Sequence, residues 1–131
     1  MKKKIFYSKR APSPKGPYSQ AAAYNGILYI SGQLPVDPAT DCLVPGTIED
    51  QTRRVLENLK AIARDAGAEL GDVLKTTCYL ADLNDFGRFN TVYAEYFSNE
   101  PPARATVQAA RLPLDAKLEI DAVVKLPSHK R

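Results

Sequence analysis

The chain has 131 residues, 44% hydrophobic and 25% charged, with a formal net charge of +3. That length fits one domain, residues 1–131, and the composition is that of an ordinary soluble globular protein. The surplus charge sits in Lys2-Lys3-Lys4, Lys9-Arg10 and Lys130-Arg131, which read as solvated tails, so no nucleic-acid surface is expected.

Ile5-Phe6-Tyr7-Ser8 offers no apolar run of secretory length, and nothing approaches a membrane span; the expectation is a cytoplasmic protein with no membrane contact. Cys42 and Cys78 are far apart and outside any CxxC pattern, and the single histidine is His129 in the tail, so no metal site or disulfide framework is indicated. Cys42 reads as a loop thiol and Cys78 as a strand residue.

The chain is expected to open with a hairpin over 21–30. Asn25-Gly26 joins its two strands, because a type I′ turn needs positive φ at both central positions and this pair tolerates it. Ser31-Gly32-Gln33 ends the second strand, and Pro35, Pro38, Pro45 and Gly46 mark a loop.

From Thr47 the period changes. Thr47 can cap, Glu49 and Asp50 load the first turn with negative charge, and Ile48, Val55, Leu56, Leu59, Ile62, Ala63 and Ala66 recur at helical spacing up to a stop at Gly67. The β-branched and aromatic run from Val73 to Leu80 is a strand, and Asp82-Leu83-Asn84-Asp85 supplies caps for a second helix. Phe86, Phe89, Val92, Tyr93, Tyr96 and Phe97 form that helix's apolar face, read as core and not as a stacking platform. Beyond Pro101-Pro102 come a strand near 103–109, a turn through Arg111-Leu112-Pro113, and a last strand over 117–125. There Leu118, Ile120, Ala122 and Val124 face one way, and Lys117, Glu119, Asp121 and Lys125 the other.

The expected order is ββ-α-β-α-ββ, an α+β fold with two helices on one face of a mixed sheet. The other face would then carry apolar residues such as Val73, Tyr79, Val107 and Val123 into water, which predicts oligomerisation through it. Arg104 and Glu119 are expected on neighbouring strands. A guanidinium is a permanent planar cation that matches a carboxylate bidentately, and a carboxylate nearby can act on water.

The chain resembles the RidA/YjgF family of reactive-intermediate deaminases. The resemblance rests on Gly16-Pro17-Tyr18-Ser19-Gln20, Ile30-Ser31-Gly32-Gln33-Leu34-Pro35, Lys75-Thr76-Thr77, Leu83-Asn84-Asp85-Phe86, Asn90, Pro102-Ala103-Arg104 and Ala110-Arg111-Leu112-Pro113, in order over nearly the whole chain. It implies a chorismate-mutase-like subunit assembled as a homotrimer with clefts at subunit interfaces. It also implies hydrolysis of 2-imino acids from pyridoxal-phosphate enzymes to 2-oxo acids and ammonia, with no metal or organic cofactor of its own. By the same resemblance Arg104 holds the substrate carboxylate, Glu119 acts near the reacting water and Tyr18 lines the cleft, with Ser31, Gly32, Asn90 and Thr106 as further walls. Some members carry cysteine where this chain has Thr106, which removes a thiol-dependent role there while leaving a backbone N–H contact possible.

Three other readings compete. One is a non-catalytic module or regulator that binds a 2-oxo acid, and another is a chaperone-like holdase. The third, RNA cleavage, is disfavoured because such acid–base chemistry draws on histidine or a metal.

Overall fold

The computed structural model describes residues 2–128, so His129 and the terminal Lys130-Arg131 lie outside it. Eight strands and two helices follow in the order β1 (Lys4–Phe6), β2 (Ala21–Tyr24), β3 (Ile27–Gln33), β4 (Val36–Asp37), β5 (Cys42–Leu43), α1 (Ile48–Asp65), β6 (Val73–Leu80), α2 (Phe86–Tyr96), β7 (Ala103–Gln108) and β8 (Leu118–Lys125). Six strands form one sheet in the order β1-β2-β3-β8-β6-β7, antiparallel except for the parallel pair β6/β7; β4 and β5 make a small separate hairpin. The fold is α+β, with a mixed sheet and both helices on one face, as expected.

Three of the predicted caps and turns form for the anticipated reasons, whereas Asp85 at the start of α2 makes no capping hydrogen bond and Asp82 instead accepts from the Asn84 N–H in the short turn ahead of that helix. Asn25 (φ 55°) and Gly26 (φ 81°) close the β2/β3 hairpin. Thr47 Oγ1 accepts from the Asp50 backbone N–H while the Asp50 carboxylate accepts from the Thr47 N–H, a reciprocal cap worth about 1 kcal/mol. At the other end of α1, Gly67 turns left-handed (φ 93°), and its N–H and that of Ala68 satisfy the carbonyls of Arg64 and Ala63. Between the helices and the sheet lies a core that includes Leu28, Leu56, Leu59, Leu80, Phe89, Leu118 and Ile120, all at most 1% exposed.

Several details differ from the sequence reading. A first strand, β1, pairs with β2 ahead of the hairpin; with only three residues, it is too short to carry a period. Cys42 is exposed but lies in β5 instead of a loop, whereas Cys78 is a buried residue of β6 as read. Val73 is in the core: it pairs with buried Val124, and the ladder slips between Val73 and Lys75, so the strand's alternation changes face at Leu74. The uncovered face does carry Tyr79, Val107 and Val123, joined by Ile5 and Tyr29, each of the last two about half exposed. Finally, β7 and β8 are not neighbours, because β6 lies between them.

Candidate active site in two halves

The intervening strand β6 decides where Arg104 and Glu119 go. In the parallel ladder Arg104 is level with Thr76, and Thr76 is fully buried under α2, where it hydrogen-bonds the Tyr93 hydroxyl at 2.7 Å. Arg104 therefore points to the helix side of the sheet. Glu119 sits between Leu118 and Ile120, both fully buried beneath the helices, and is level with Tyr79, so it points to the uncovered side. The expectation of a cation and a carboxylate on neighbouring strands fails, because within one chain they are a strand apart, and they also lie on opposite faces of the sheet.

Around Arg104 the chain builds a fixed cation. Nη1 donates to Asn90 Oδ1 at 2.9 Å, and the guanidinium carbon lies 4.7 Å from the ring centre of Tyr93, 5.4 Å from Phe86 and 5.5 Å from Phe89. Three rings and one amide leave the group little freedom, and the aromatic surroundings replace water without neutralising the charge. Among the described residues its guanidinium has no carboxylate partner within ion-pair distance, unlike Arg53, Arg88 and Arg111, which pair with Glu95, Glu49 and Asp115. Thr106, two residues on and level with Cys78, faces the same side; its Oγ1 is the one buried side-chain oxygen or nitrogen among the described residues that lacks a hydrogen-bond partner. Burial pushes the neighbouring Cys78 thiol up to about 11, so it stays protonated at neutral pH. The apolar face of α2 thus has two jobs. Its inner rings fill the core as read, while Phe86, Phe89 and Tyr93 also cradle the guanidinium, a role that required knowing that β7 runs beside α2.

Glu119 belongs to a second constellation. Tyr18, Ser31, Gly32 and Glu119, with Lys15 and Pro113, line an open cleft of about 520 Å³. Gly32 lets the carboxylate approach the backbone: a Cβ built there would collide with the carboxylate, 2.9 Å from its Cδ, so a side chain would displace Glu119. The ladder between β3 and β8 is irregular between Ile30 and Gln33, where Ser31 and Gly32 leave the regular pairing. Ser31 Oγ donates to the Ser19 carbonyl at 2.6 Å and holds the Tyr18 segment against the strand. That segment is also tied by Gln20, buried to 2% exposure, whose side chain accepts from the Ser8 N–H and donates to the Ser8 and Pro12 carbonyls. The Tyr18 hydroxyl accepts from the Lys15 N–H at 3.3 Å, which leaves its own proton available. Burial raises the pKa of Glu119 above the ordinary carboxylate value, and the negative charge of Asp121 on the same strand face adds to the rise.

The seven residues singled out in the sequence thus divide into an arginine half (Asn90, Arg104, Thr106) and an acidic half (Tyr18, Ser31, Gly32, Glu119). A strand's side chains reach only a few ångströms from its sheet, so one small substrate cannot touch both halves of the same chain. A cation awaiting an anion and a carboxylate beside an open cleft are complementary, and they meet only if two copies bring them together. No group of three or more metal-binding side chains occurs among the described residues, and no helix there is long and apolar enough to cross a membrane.

The family profile described as Endoribonuclease L-PSP matches residues 8–126. A RutC family protein of Pyrococcus abyssi is 49% identical over 94% of this chain and 97% of its own length. The 2-iminobutanoate/2-iminopropanoate deaminase of Mus musculus is 43% identical over 92% of this chain and 90% of its own. Among solved structures, E. coli TdcF with bound serine superposes with a TM-score of 0.90 at 43% identity, covering 95% of this chain and 99% of TdcF.

Proposed function

The chain belongs to the RidA/YjgF family, whose profile carries the Endoribonuclease L-PSP description, and from that membership we propose that it is a deaminase that hydrolyses 2-imino acids to 2-oxo acids and ammonia. The observation that carries the reading is the pair of complementary half-sites, one presenting Arg104 without a carboxylate partner, the other Glu119 with a raised pKa. The active site forms where the acidic half of one copy meets the arginine half of the next. Because the halves lie on different faces, the contact is head-to-tail, and three copies close it into a ring that also covers the apolar sheet face. The mouse relative named for 2-iminobutanoate and 2-iminopropanoate supports this substrate class.

In the assembled site Arg104 receives the substrate carboxylate, and the Thr106 hydroxyl donates to the same group, which satisfies an oxygen otherwise left unpaired. The protonated imine nitrogen and its carbon then lie over the acidic half. Glu119 accepts a proton from water as the oxygen bonds to the imine carbon, giving a tetrahedral carbinolamine. That proton passes to nitrogen, the C–N bond breaks as Glu119 takes the carbinolamine hydroxyl proton to leave the 2-oxo acid, and the departing ammonia receives that proton from Glu119 and leaves as ammonium. A carboxylate whose pKa has moved toward neutral is a better match for this exchange than an ordinary one, because it can both take and return the proton. Tyr18 donates its hydroxyl proton toward the leaving nitrogen or the water. The uncatalysed reaction is facile, so positioning supplies most of what is needed.

The test generates imino acids from L-amino acids with an amino-acid oxidase and follows their capture by semicarbazide. Wild-type protein is expected to diminish semicarbazone formation, and Arg104→Ala to lower kcat/KM by about a hundredfold or more, the loss of two charge-assisted hydrogen bonds. Equal semicarbazone yields with and without protein overturn the reading. The serine held by TdcF favours a second one, recognition of an amino-acid-like ligand without turnover, which predicts ligand binding together with those equal yields.

A further inference from the structure

The acidic half adjoins a smaller recess of about 80 Å³, and Lys15, Tyr18, Gly32, Leu34 and Leu114 border both spaces. About 10–15 Å³ suffices for one water, so the recess holds a side-chain-sized group. Pro12, Leu34, Val36 and Leu114 supply its apolar wall. Gln20, which also lines it, turns its amide inward to the Ser8 and Pro12 carbonyls and its oxygen to the Ser8 N–H, so it offers the recess no free donor.

Leu114 is unusual in two ways. It is 65% exposed, more than any other large hydrophobic residue described, and its backbone sits in the left-handed region (φ 60°, ψ 16°), followed by Asp115 at φ 53°. A leucine rarely adopts that conformation, and two such residues in succession are held only where their surroundings over-determine them. Here the turn is clamped by the Arg111–Asp115 ion pair at 2.9 Å, by Asp115 N–H to the Leu112 carbonyl, and by Ala116 N–H to the Pro113 carbonyl, while Leu112 anchors it in the interior. The strained turn keeps an isobutyl group at the mouth of the recess.

We propose that this recess is the side-chain pocket of the substrate site and that Leu114 sets its specificity, selecting 2-imino and 2-oxo acids with an uncharged aliphatic side chain of roughly two to four carbons. The inference rests on the deaminase reading for the placement of the reacting carbon at Glu119. With the carboxylate on Arg104 and that carbon over Glu119, the third substituent turns toward the recess. Lys15 and Asp41 also line the recess but pair with each other at 2.6 Å, so neither an acidic nor a cationic side chain finds a free counter-charge there, and either would be desolvated against the apolar wall.

Calorimetric titration with 2-oxopropanoate, 2-oxobutanoate, 4-methyl-2-oxopentanoate and 2-oxopentanedioate tests this, with hydrolysis of the matching imino acids measured in parallel. Affinity is expected to rise about fourfold per added methylene along the uncharged acids, the transfer value for burying that group, and the dicarboxylate to bind weakest. Leu114→Gly removes the wall while relieving the strain, so it folds at least as well and is expected to compress the uncharged series to less than twofold overall; Leu114→Met is expected to retain the wild-type ranking. Flat affinities in wild type, a preference for the dicarboxylate, an unchanged ranking in Leu114→Gly, or no binding of any acid each overturn the proposal. A graded binding series without imine hydrolysis overturns the deaminase reading and upholds the pocket, whereas hydrolysis with flat binding does the reverse.

Discussion

The arginine half and the acidic half are built to different standards. Arg104 is held by an amide and three aromatic rings at the covered side of the sheet, so its position is fixed by the same packing that stabilises α2. Glu119 faces an open cleft beside an irregular strand and a strained turn, and no such scaffold surrounds its carboxylate. The difference follows from the tasks proposed for them. A group that fixes a carboxylate gains from rigidity and permanent charge, while a group that exchanges protons gains from partial burial and a like charge nearby, both of which destabilise its ionised form.

The sharpest break of this comparison separates the halves onto different chains. Arg104→Ala and Glu119→Gln are each expected to be nearly inactive, yet unfolding and refolding them together at equal amounts should restore roughly a quarter of the wild-type sites, the fraction in which random assortment pairs two intact halves. No restoration, with both variants folded and assembled, would return the site to a single chain and contradict the face assignment.

A smaller effect is expected at Gly32. Gly32→Ala places a methyl where the Glu119 carboxylate lies, and the side chain must move. We expect about a tenfold loss of kcat with binding of 2-oxo acids less affected, since an acid displaced by an ångström costs alignment more than affinity. A loss confined to KM would show that Glu119 contributes to binding alone.

The smallest effect sharpens the electrostatic contrast. Asp121→Asn removes the like charge that adds to the upward shift of Glu119, so the acidic limb of the pH–rate profile should move to lower pH while burial, the larger cause, keeps it above the ordinary carboxylate range. The same shift has a stability consequence of definite sign. Folded protein holds the Glu119 proton more tightly than the unfolded chain, so this residue makes stability fall as pH rises from the ordinary carboxylate value through the raised one. Glu119→Gln removes that dependence, and thermal unfolding across the interval should be flatter in the variant; parallel curves would mean that the carboxylate is solvated.

Much of the fold was legible because it depends on short-range chemistry. The Asn25-Gly26 turn, the Thr47 cap and the Gly67 stop each follow from what one or two residues do to their own backbone. The alternation in β8 likewise assigned Glu119 to the uncovered face before any partner strand was known. The displacement of Val73 into the core was not legible, because it depends on a ladder slip that only the partner strand reveals. The Arg104 cradle was half legible: the aromatic period of α2 was plain, but its second use depends on which strand lies beneath it.

The sequence by itself determined both helices, the strands β2, β3, β6, β7 and β8, the α+β class, the sorting of side chains within β8 and the family to which the motifs belong. Only the tertiary structure decided that β6 lies between β7 and β8, and with it that Arg104 and Glu119 occupy opposite faces. Local period fixes which residues of a strand share a side, but strand order is set by long-range pairing and helix cover, contacts between residues far apart in the chain that no local pattern records.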